Sequence, residues 1–378
     1  MPLKPPYGYF RRAHVRIDSF AGYLLIQEPG KATSLRLTGS AVRIWEHLEY
    51  PSSFEELCEK LHAEFEVPKK ELGENLSQFL DELIRRKLVL NVNPASTLTE
   101  ANRFAYLGTL KRSLVNYFYL EHELRMDYLV KHKVDPESRD VIRYLRDIRE
   151  REPGRYHDLL ASRIDGKRPP DMNYYFPHTL VGLHRLENLE RCAEDIFRHG
   201  IPGDFMEAGV AQGGAAVFLR GLQMAYGQEQ RRTWVADSFQ GLPEAKSEED
   251  TQFQPNYPSG DHPVLSYAMQ TVVDLFRRYD LLDDQVCFVP GWFADTLPRL
   301  SVQGLALLRI DVDMYQSTME VLTNLYDKVV PGGYIIIDDY GSFPPCRKAV
   351  DEFRAMHGID AMLQRIDWEG VYWQKDGK

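Results

Sequence analysis

Cysteine is scarce in this chain, with four among 378 residues: Cys58, Cys192, Cys287 and Cys346. No two form a Cys-x-x-Cys pair, so neither a dithiol redox motif nor a zinc site fits the spacing, and they read as buried or tolerated thiols. Long hydrophobic runs are also missing. No stretch of 18 apolar residues occurs, which leaves no candidate for a membrane-spanning helix, and the opening Met-Pro-Leu-Lys-Pro-Pro carries no signal-peptide core. A reducing cytoplasm is the expected setting, with no membrane partner. Basic charge is in deficit: 46 Lys and Arg face 56 Asp and Glu, a net charge of −10. Neutralising nucleic-acid phosphates calls for the opposite balance, so no nucleic-acid partner is expected. What remains, 43% hydrophobic and 27% charged residues, suits a soluble globular protein of two or three domains.

Three regions separate by pattern, without internal repeats or low-complexity tracts. Residues 1–94 open with strand-like pieces at His14 to Ile17 and Gly22 to Gln27, a turn at Glu28 to Lys31, and a short extended piece, Leu35 to Leu37. Thr38 is placed to cap a helix carrying Val42, Ile44, Trp45 and Leu48. Ser52 and Glu55 have capping-box spacing before a second helix. Pro68 fits the first turn of a third, whose Leu72, Leu76, Phe79, Leu80, Leu83 and Ile84 recur at helical spacing. Leu88 to Leu90 closes the unit as a strand, giving a winged-helix-like domain with Asn91 to Ser96 as exit linker. Residues 95–200 read as a helical connector, its last helix spanning His178 to Arg198. Residues 201–378 alternate short apolar runs with helical stretches, the mark of a doubly wound α/β sheet. The strands expected there are Phe205 to Ala208, Thr233 to Ala236, Val286 to Val289, Leu305 to Ile310, Tyr334 to Ile337 and Val371 to Trp373, with Pro331 to Gly333 as a turn.

Two features of the third region carry chemistry. The first strand runs into Glu207-Ala208-Gly209-Val210-Ala211-Gln212-Gly213-Gly214, then a helix. Gly209 and Gly213 let the backbone of such a turn come close to a ligand. Asp237 ends the next strand, where an acid can hold two ribose hydroxyls. Gly209 has no glycine two residues on, so the dinucleotide pattern fails, and no phosphate-binding Lys follows, so a P-loop fails too. A nucleoside without pyrophosphate fits best, and S-adenosylmethionine is the common one. The second feature is a pair of acids at the end of each of two strands, Asp311 with Asp313 and Asp338 with Asp339. Ligands of open parallel sheets bind beyond these strand ends. Four carboxylates meeting there would repel one another without a cation, and oxygen ligands of this kind suit Mg²⁺ or a similar hard ion. Such an ion would lower an acceptor hydroxyl's pKa while a carboxylate takes its proton.

Further stretches join these: Leu110-Lys111-Arg112-Ser113-Leu114-Val115-Asn116, His178-Thr179-Leu180-Val181-Gly182-Leu183, Ala236-Asp237-Ser238-Phe239-Gln240-Gly241-Leu242-Pro243, Pro290-Gly291-Trp292-Phe293, Asp311 to Thr318, Asp338-Asp339-Tyr340-Gly341 and Gly370 to Trp373. In this order they resemble the macrocin O-methyltransferase (TylF-type) family, class I methyltransferases that act on sugars of secondary metabolites. The resemblance spans residues 103–374, with an insertion at about 124–172. It implies metal ligands at Asp311, Asp338 and Asp339, and a general base at Asp313. Cofactor contacts fall on Glu207, Gly209, Asp237, Ser238 and the Gly291-Trp292-Phe293 turn, with His178 and Thr179 near the methionine end. Ala211 and Gln212 depart from the family's tryptophan and basic residue, which alters the rim of the cofactor pocket. A homo-oligomer is also implied. The polar stretch Lys246 to Pro263 reads either as a lid over the acceptor or as a plain surface loop.

The first region, through Leu37 to Glu46 and Phe54 to Leu57, resembles PqqD-like domains, which bind the leader of a ribosomally made precursor peptide as an added strand. A DNA-binding role is disfavoured, because the third helix carries Glu71, Glu74, Asp81 and Glu82. Joining the halves gives a Mg²⁺-assisted O-methyltransferase tailoring a ribosomal peptide, its acceptor a hydroxyl, a carboxylate or a sugar. The alternative is methylation of a sugar hydroxyl on a small antibiotic-like metabolite, with the first region serving assembly. A non-catalytic adaptor is the third reading, against which the intact Asp311, Asp313, Asp338 and Asp339 weigh.

Overall fold

The computed structural model describes residues 8–11, 17–20, 23–27, 34–48, 54–65, 67–86, 88–92, 98–167, 169, 176–228, 230–253 and 266–376. Contacts divide the chain into two compact units, Met1–Tyr106 and Leu107–Lys378.

In the first unit, β1 (Gly8–Arg11) pairs antiparallel with β5 (Val89–Val92), and β2 (Ile17–Phe20), β3 (Tyr23–Gln27) and β4 (Ser34–Thr38) form a three-stranded antiparallel sheet. Helices α1 (Ser40–His47), α2 (Phe54–Glu64) and α3 (Lys69–Arg85) lie between β4 and β5 in sequence. The spacing of leucines in α3 turns Leu72, Leu76, Leu80 and Leu83 inward, where they join Ile26, Leu37, Trp45, Leu57 and Leu61 in one core. Thr38 does not cap α1. It is paired with Tyr23 in the sheet, which keeps it extended, and Gly39 at φ 56° takes the cap position without a side-chain bond. Pro68 stands at the cap of α3, one residue before the first turn, and its carbonyl accepts the Leu72 N–H at 3.0 Å. Most of the strand expected at His14 to Ile17, the turn at Glu28 to Lys31 and Ser52 of the expected capping box lie outside the described residues.

The second unit begins within α4 (Leu98–Leu114) and continues through α5 (Leu120–His132), α6 (Arg139–Arg146), α7 (Ile148–Arg151) and α8 (Pro153–Asp165). Next, α9 covers Leu183–Arg198, not His178 to Arg198. The His178 N–H is drawn to the Leu114 carbonyl at 2.8 Å, and Gly182 packs so tightly on Gly166 that a Cβ there would lie 2.3 Å from its nitrogen. Both contacts hold the lead-in out of helix.

The alternating elements that follow are β6 (Asp204–Ala208), α10 (Gly214–Ala225), β7 (Thr233–Asp237), α11 (Glu248–Phe253), α12 (Met269–Arg278), β8 (Val286–Pro290), α13 (Phe293–Thr296), β9 (Leu305–Ile310), α14 (Tyr315–Leu325), β10 (Val329–Ile337), α15 (Pro344–Met356), β11 (Gln364–Arg365) and β12 (Val371–Gln374). The sheet order is β11-β12-β10-β9-β6-β7-β8, with β8 through β10 parallel and β11 and β12 antiparallel. Helices cover both faces: Phe205, Val235, Leu307 and Ile336 point to one apolar layer, and Met206, Trp234, Leu308 and Ile335 to the other. All six residues of β9 are buried. Pro331 to Gly333 is not a turn ahead of β10 but an irregular stretch inside it. The register skips from Val329 to Tyr334, and Gly332 and Gly333 exchange hydrogen bonds of 2.8 Å with Lys375. The strand order reverses between β6 and β9, so a crevice opens beyond their carboxyl ends.

Candidate active site

On the β6 side, the chain leaves Ala208 through Gly209 at φ 77°. A Cβ on Gly209 would stand 1.8 Å from the Asp311 carbonyl oxygen, so only glycine lets β6 and β9 end this close together. Gly213, at φ 94°, heads α10 against Val272. Asp237, at the end of β7, accepts the Val210 N–H and the Phe239 N–H, each at 2.7 Å, one on each carboxylate oxygen. Burial pushes its pKa up while these backbone donors pull it down, and the first effect prevails. The Ser238 hydroxyl donates to the Gly241 carbonyl at 3.0 Å, closing the turn that carries Leu242 and Pro243.

On the β9 and β10 side, two arginines organise the acids. Arg309, buried near the carboxyl end of β9, pairs with Glu207, with Asp311 at 2.9 Å and with Asp338 at 2.6 Å. Arg185, from α9, pairs with Asp338 at 2.5 Å, Asp367 at 2.8 Å and Glu369. Burial works against ionising Asp338, yet Arg185 and Arg309 outweigh it and hold its carboxyl below the usual range. Burial and Asp338 raise Asp311 to about 6, against the pull of Arg309. Burial lifts Glu207 to about 8 even beside Arg309.

Asp313 and Asp339 have no ion-pair partner among the described residues. Burial and neighbouring carboxylates push both well above the ordinary carboxyl range. Asp313 sits at φ 57°, its N–H donating to Asp339 Oδ2 at 3.0 Å. The convergence of acids is therefore partly neutralised from within: Arg185 and Arg309 supply cations that the repulsion argument had left to a metal. The deficit remains at Asp339 and its neighbours, where Asp311, Asp338 and Asp339 offer oxygen atoms that all lie within 4.8 Å of one another. That donor set, all carboxylate oxygen, fits a hard divalent cation.

A cavity of about 600 Å³ joins the two halves. Among the residues singled out in the sequence, Gly209, Asp237, Ser238, Trp292, Phe293, Asp311, Asp313, Asp338 and Asp339 line it, as does Ala211 at the departing position. Glu207 and Gly213 lie beside these without lining it, as does Gly291, whose N–H donates to the Asp237 carbonyl at 2.9 Å. His178 and Thr179 are not brought to the cavity wall. They pack on Gly214 at the start of α10, and His178 Nδ1 lies 2.8 Å from the Tyr279 hydroxyl. Of the Lys246 to Pro263 stretch, residues 246–253 are described. Their α11 is docked on α14 and α15, while 254–263 lie outside the described residues. Sequence reasoning missed Arg185, Arg309 and Glu369. An arginine inside an otherwise apolar strand was the available signal for Arg309, since a buried guanidinium needs carboxylate partners.

Residues 103–375 match the family described as Macrocin-O-methyltransferase (TylF), and residues 24–89 match Coenzyme PQQ synthesis protein D (PqqD). Demethyldecarbamoylnovobiocin O-methyltransferase of Streptomyces niveus is 48% identical over 198 residues, 52% of this chain and 76% of that protein. Mycinamicin III 3''-O-methyltransferase of Micromonospora griseorubida is 47% identical over 200 residues, 52% of this chain and 78% of that protein. The solved structure of the O-methyltransferase NovP aligns with a TM-score of 0.59 at 39% identity, covering 72% of this chain and 99% of that one. The glycine-lined turn, the acid-lined strand ends and a match across most of the chain agree: it belongs to the macrocin-O-methyltransferase (TylF) family and is an S-adenosylmethionine-dependent O-methyltransferase.

Proposed function

We propose that this chain methylates a sugar hydroxyl of a small natural product, with a divalent cation such as Mg²⁺ held by Asp311, Asp338 and Asp339. The observation that carries this reading is one cavity walled on one side by Gly209, Asp237 and Trp292 and on the other by four aspartates. S-adenosylmethionine supplies the methyl group. Asp237 keeps lone pairs for ribose hydroxyls beyond those engaged by Val210 and Phe239. Ser238, Trp292 and Phe293 shape the same half, and Gly209, Gly213 and Gly291 let the backbone approach. Glu207 sets the floor through Arg309. A bound cation would polarise the acceptor oxygen and favour its alkoxide. Asp313, which lines the same cavity and whose carboxyl is pushed well above the ordinary range by burial and its acidic neighbours, takes the acceptor's proton. Arg185 and Arg309 fix the remaining carboxylates, so the acceptor is oriented by a rigid floor. A third relative, 44% identical over 197 residues, is the 8-demethyl-8-(2,3-dimethoxy-alpha-L-rhamnosyl)-tetracenomycin-C 4'-O-methyltransferase of Streptomyces olivaceus, whose name carries a rhamnosyl group and supports a sugar acceptor.

The experiment is Asp313→Asn in the full-length chain with a glycosylated acceptor. Turnover is expected to fall about 10²- to 10⁴-fold with donor binding unchanged. Turnover near the wild-type rate would rule out Asp313 as the base and would favour an acceptor already ionised at neutral pH, such as a carboxylate.

The PqqD match over residues 24–89 favours a second reading, in which residues 1–94 take up a leader peptide along an edge of the β2-β3-β4 sheet and the acceptor lies on that peptide. Methylation of a leader-bearing peptide, with none of a glycoside, would select it.

A further inference from the structure

Helix α14 starts two residues after Asp313, and a helix start leaves backbone N–H groups without partners. The residue before α14, Met314, supplies no side-chain cap. The cap comes from elsewhere. Asp250, on α11 and 65 residues earlier, turns its carboxylate onto the first turn of α14. Its Oδ1 accepts the Tyr315 N–H at 2.7 Å and its Oδ2 the Gln316 N–H at 3.0 Å. Asp250 is 1% exposed and has no ion-pair partner among the described residues, so the helix start is what supports its carboxylate.

Two further contacts pin α11 in place. Lys348 pairs with Glu249 at 2.6 Å, and the Phe253 ring lies 5.5 Å from that of Phe343, which lines the cavity. The turn between Asp311 and α14 has an unusual shape. Asp313 holds a left-handed conformation that a non-glycine residue keeps only where its surroundings impose it. On one side the restraint is the Asp339 carboxylate, which accepts the Asp313 N–H. On the other side it is the first turn of α14, the turn that Asp250 caps.

We infer that Asp250 is a positioning residue for methyl transfer: by capping α14 from α11, it fixes the turn that aims Asp313 into the cavity. The same carboxylate ties the cavity wall at residues 241–246, a few residues before α11, to the strand end that carries the base, so that acceptor and base are set against each other. This rests on the reading that Asp313 takes the acceptor's proton.

The test is a double-mutant cycle in the full-length chain, with kcat, KM for donor and acceptor, and thermal midpoint measured for Asp250→Ala, Asp250→Asn, Asp313→Asn and the two double variants. Asp250→Ala is expected to lower kcat about 10- to 100-fold, the scale of a misplaced catalytic group, and to leave donor KM within about twofold. Asp250→Asn keeps one side-chain oxygen as an acceptor and should recover most of that loss. In the Asp313→Asn background the Asp250→Ala loss should largely disappear, because there is no base left to misplace. A kcat unchanged in Asp250→Ala, or a loss undiminished in the Asp313→Asn background, overturns the inference alone. Asp313→Asn at the wild-type rate removes instead the reading beneath it. Should Asp250→Ala fail to fold, Asp250→Ser, whose shorter side chain holds its single oxygen farther from α14, takes its place in the cycle, with a fall in kcat expected and the same results overturning the inference.

Discussion

Arg309→Met removes a buried cation that touches three carboxyls of the site. In the folded chain Arg309 is 1% exposed and pairs with Glu207, Asp311 and Asp338. Methionine fills much of the same volume, so packing changes little and the loss is mainly electrostatic. Breaking a buried pair by removing one partner costs about 3–5 kcal/mol. For a unit of this size that is a fall of about 6–20 °C in thermal midpoint.

The loss should depend on pH. Burial keeps Glu207 protonated up to about 8, against an ordinary value of 4.5. The folded chain thus holds a proton that the unfolded chain has released, and this contribution to stability is full below about 4.5 and lost as pH rises through about 8. Without Arg309, Glu207 and Asp311 move further up, so the variant should be least stable, relative to wild type, at alkaline pH. Asp338 acts in the same sense: its depressed pKa contributes stability above the ordinary carboxyl range, and the variant loses the part owed to Arg309 while keeping the part owed to Arg185. Urea unfolding at about pH 5.5 and about pH 8.5 measures both effects. A loss under about 1 kcal/mol, or one larger at the acid end, would refute the claim that Arg309 holds this floor together.

Gly209→Ala should cost stability and activity together, because a Cβ 1.8 Å from the Asp311 carbonyl oxygen must push β6 and β9 apart at the cavity. A donor affinity measured by calorimetry that falls at least about tenfold is the expected readout, since small displacements at such a site are felt strongly. In the first unit, Leu80→Ala should destabilise that unit by about 2–5 kcal/mol, followed by urea unfolding. Methyl transfer to a free glycoside should survive the change, because the transferase family match begins only at residue 103.

Much of this fold was readable because buried parallel strands are apolar runs and their ends are marked by acids or glycine. Leu305 to Ile310 was legible to the residue, and Asp311 and Asp338 stood out as charges abutting such runs. Arg309 was readable in principle, as a charge within one of those runs, yet the run's apolar character masked it. Arg185 was not: its partners Asp338, Asp367 and Glu369 lie 153, 182 and 184 residues away, and only the folded sheet brings them to α9. Asp250 was hidden for the same reason, since a cap supplied across 65 residues leaves no local pattern. The non-helical lead-in at residues 178–182 followed from glycine-on-glycine packing between Gly166 and Gly182, a tertiary contact that overrides the helical periodicity of the segment. Strand β11, at two residues, is too short to show any period. The roles assigned to Asp313 and to the metal ligands came from the family resemblance, whereas their nearness to one another is a property of the folded chain.

The measurement that reaches the centre of the account is divalent-cation binding followed alongside turnover. The full-length chain would be stripped with chelator and titrated with Mg²⁺ or Mn²⁺ in the presence of S-adenosylmethionine and a glycoside acceptor. One site per chain whose occupancy tracks kcat, and which is lost in both Asp338→Asn and Asp339→Asn, is the expected result. Full turnover in the stripped enzyme, or a binding site untouched by both substitutions, would contradict it.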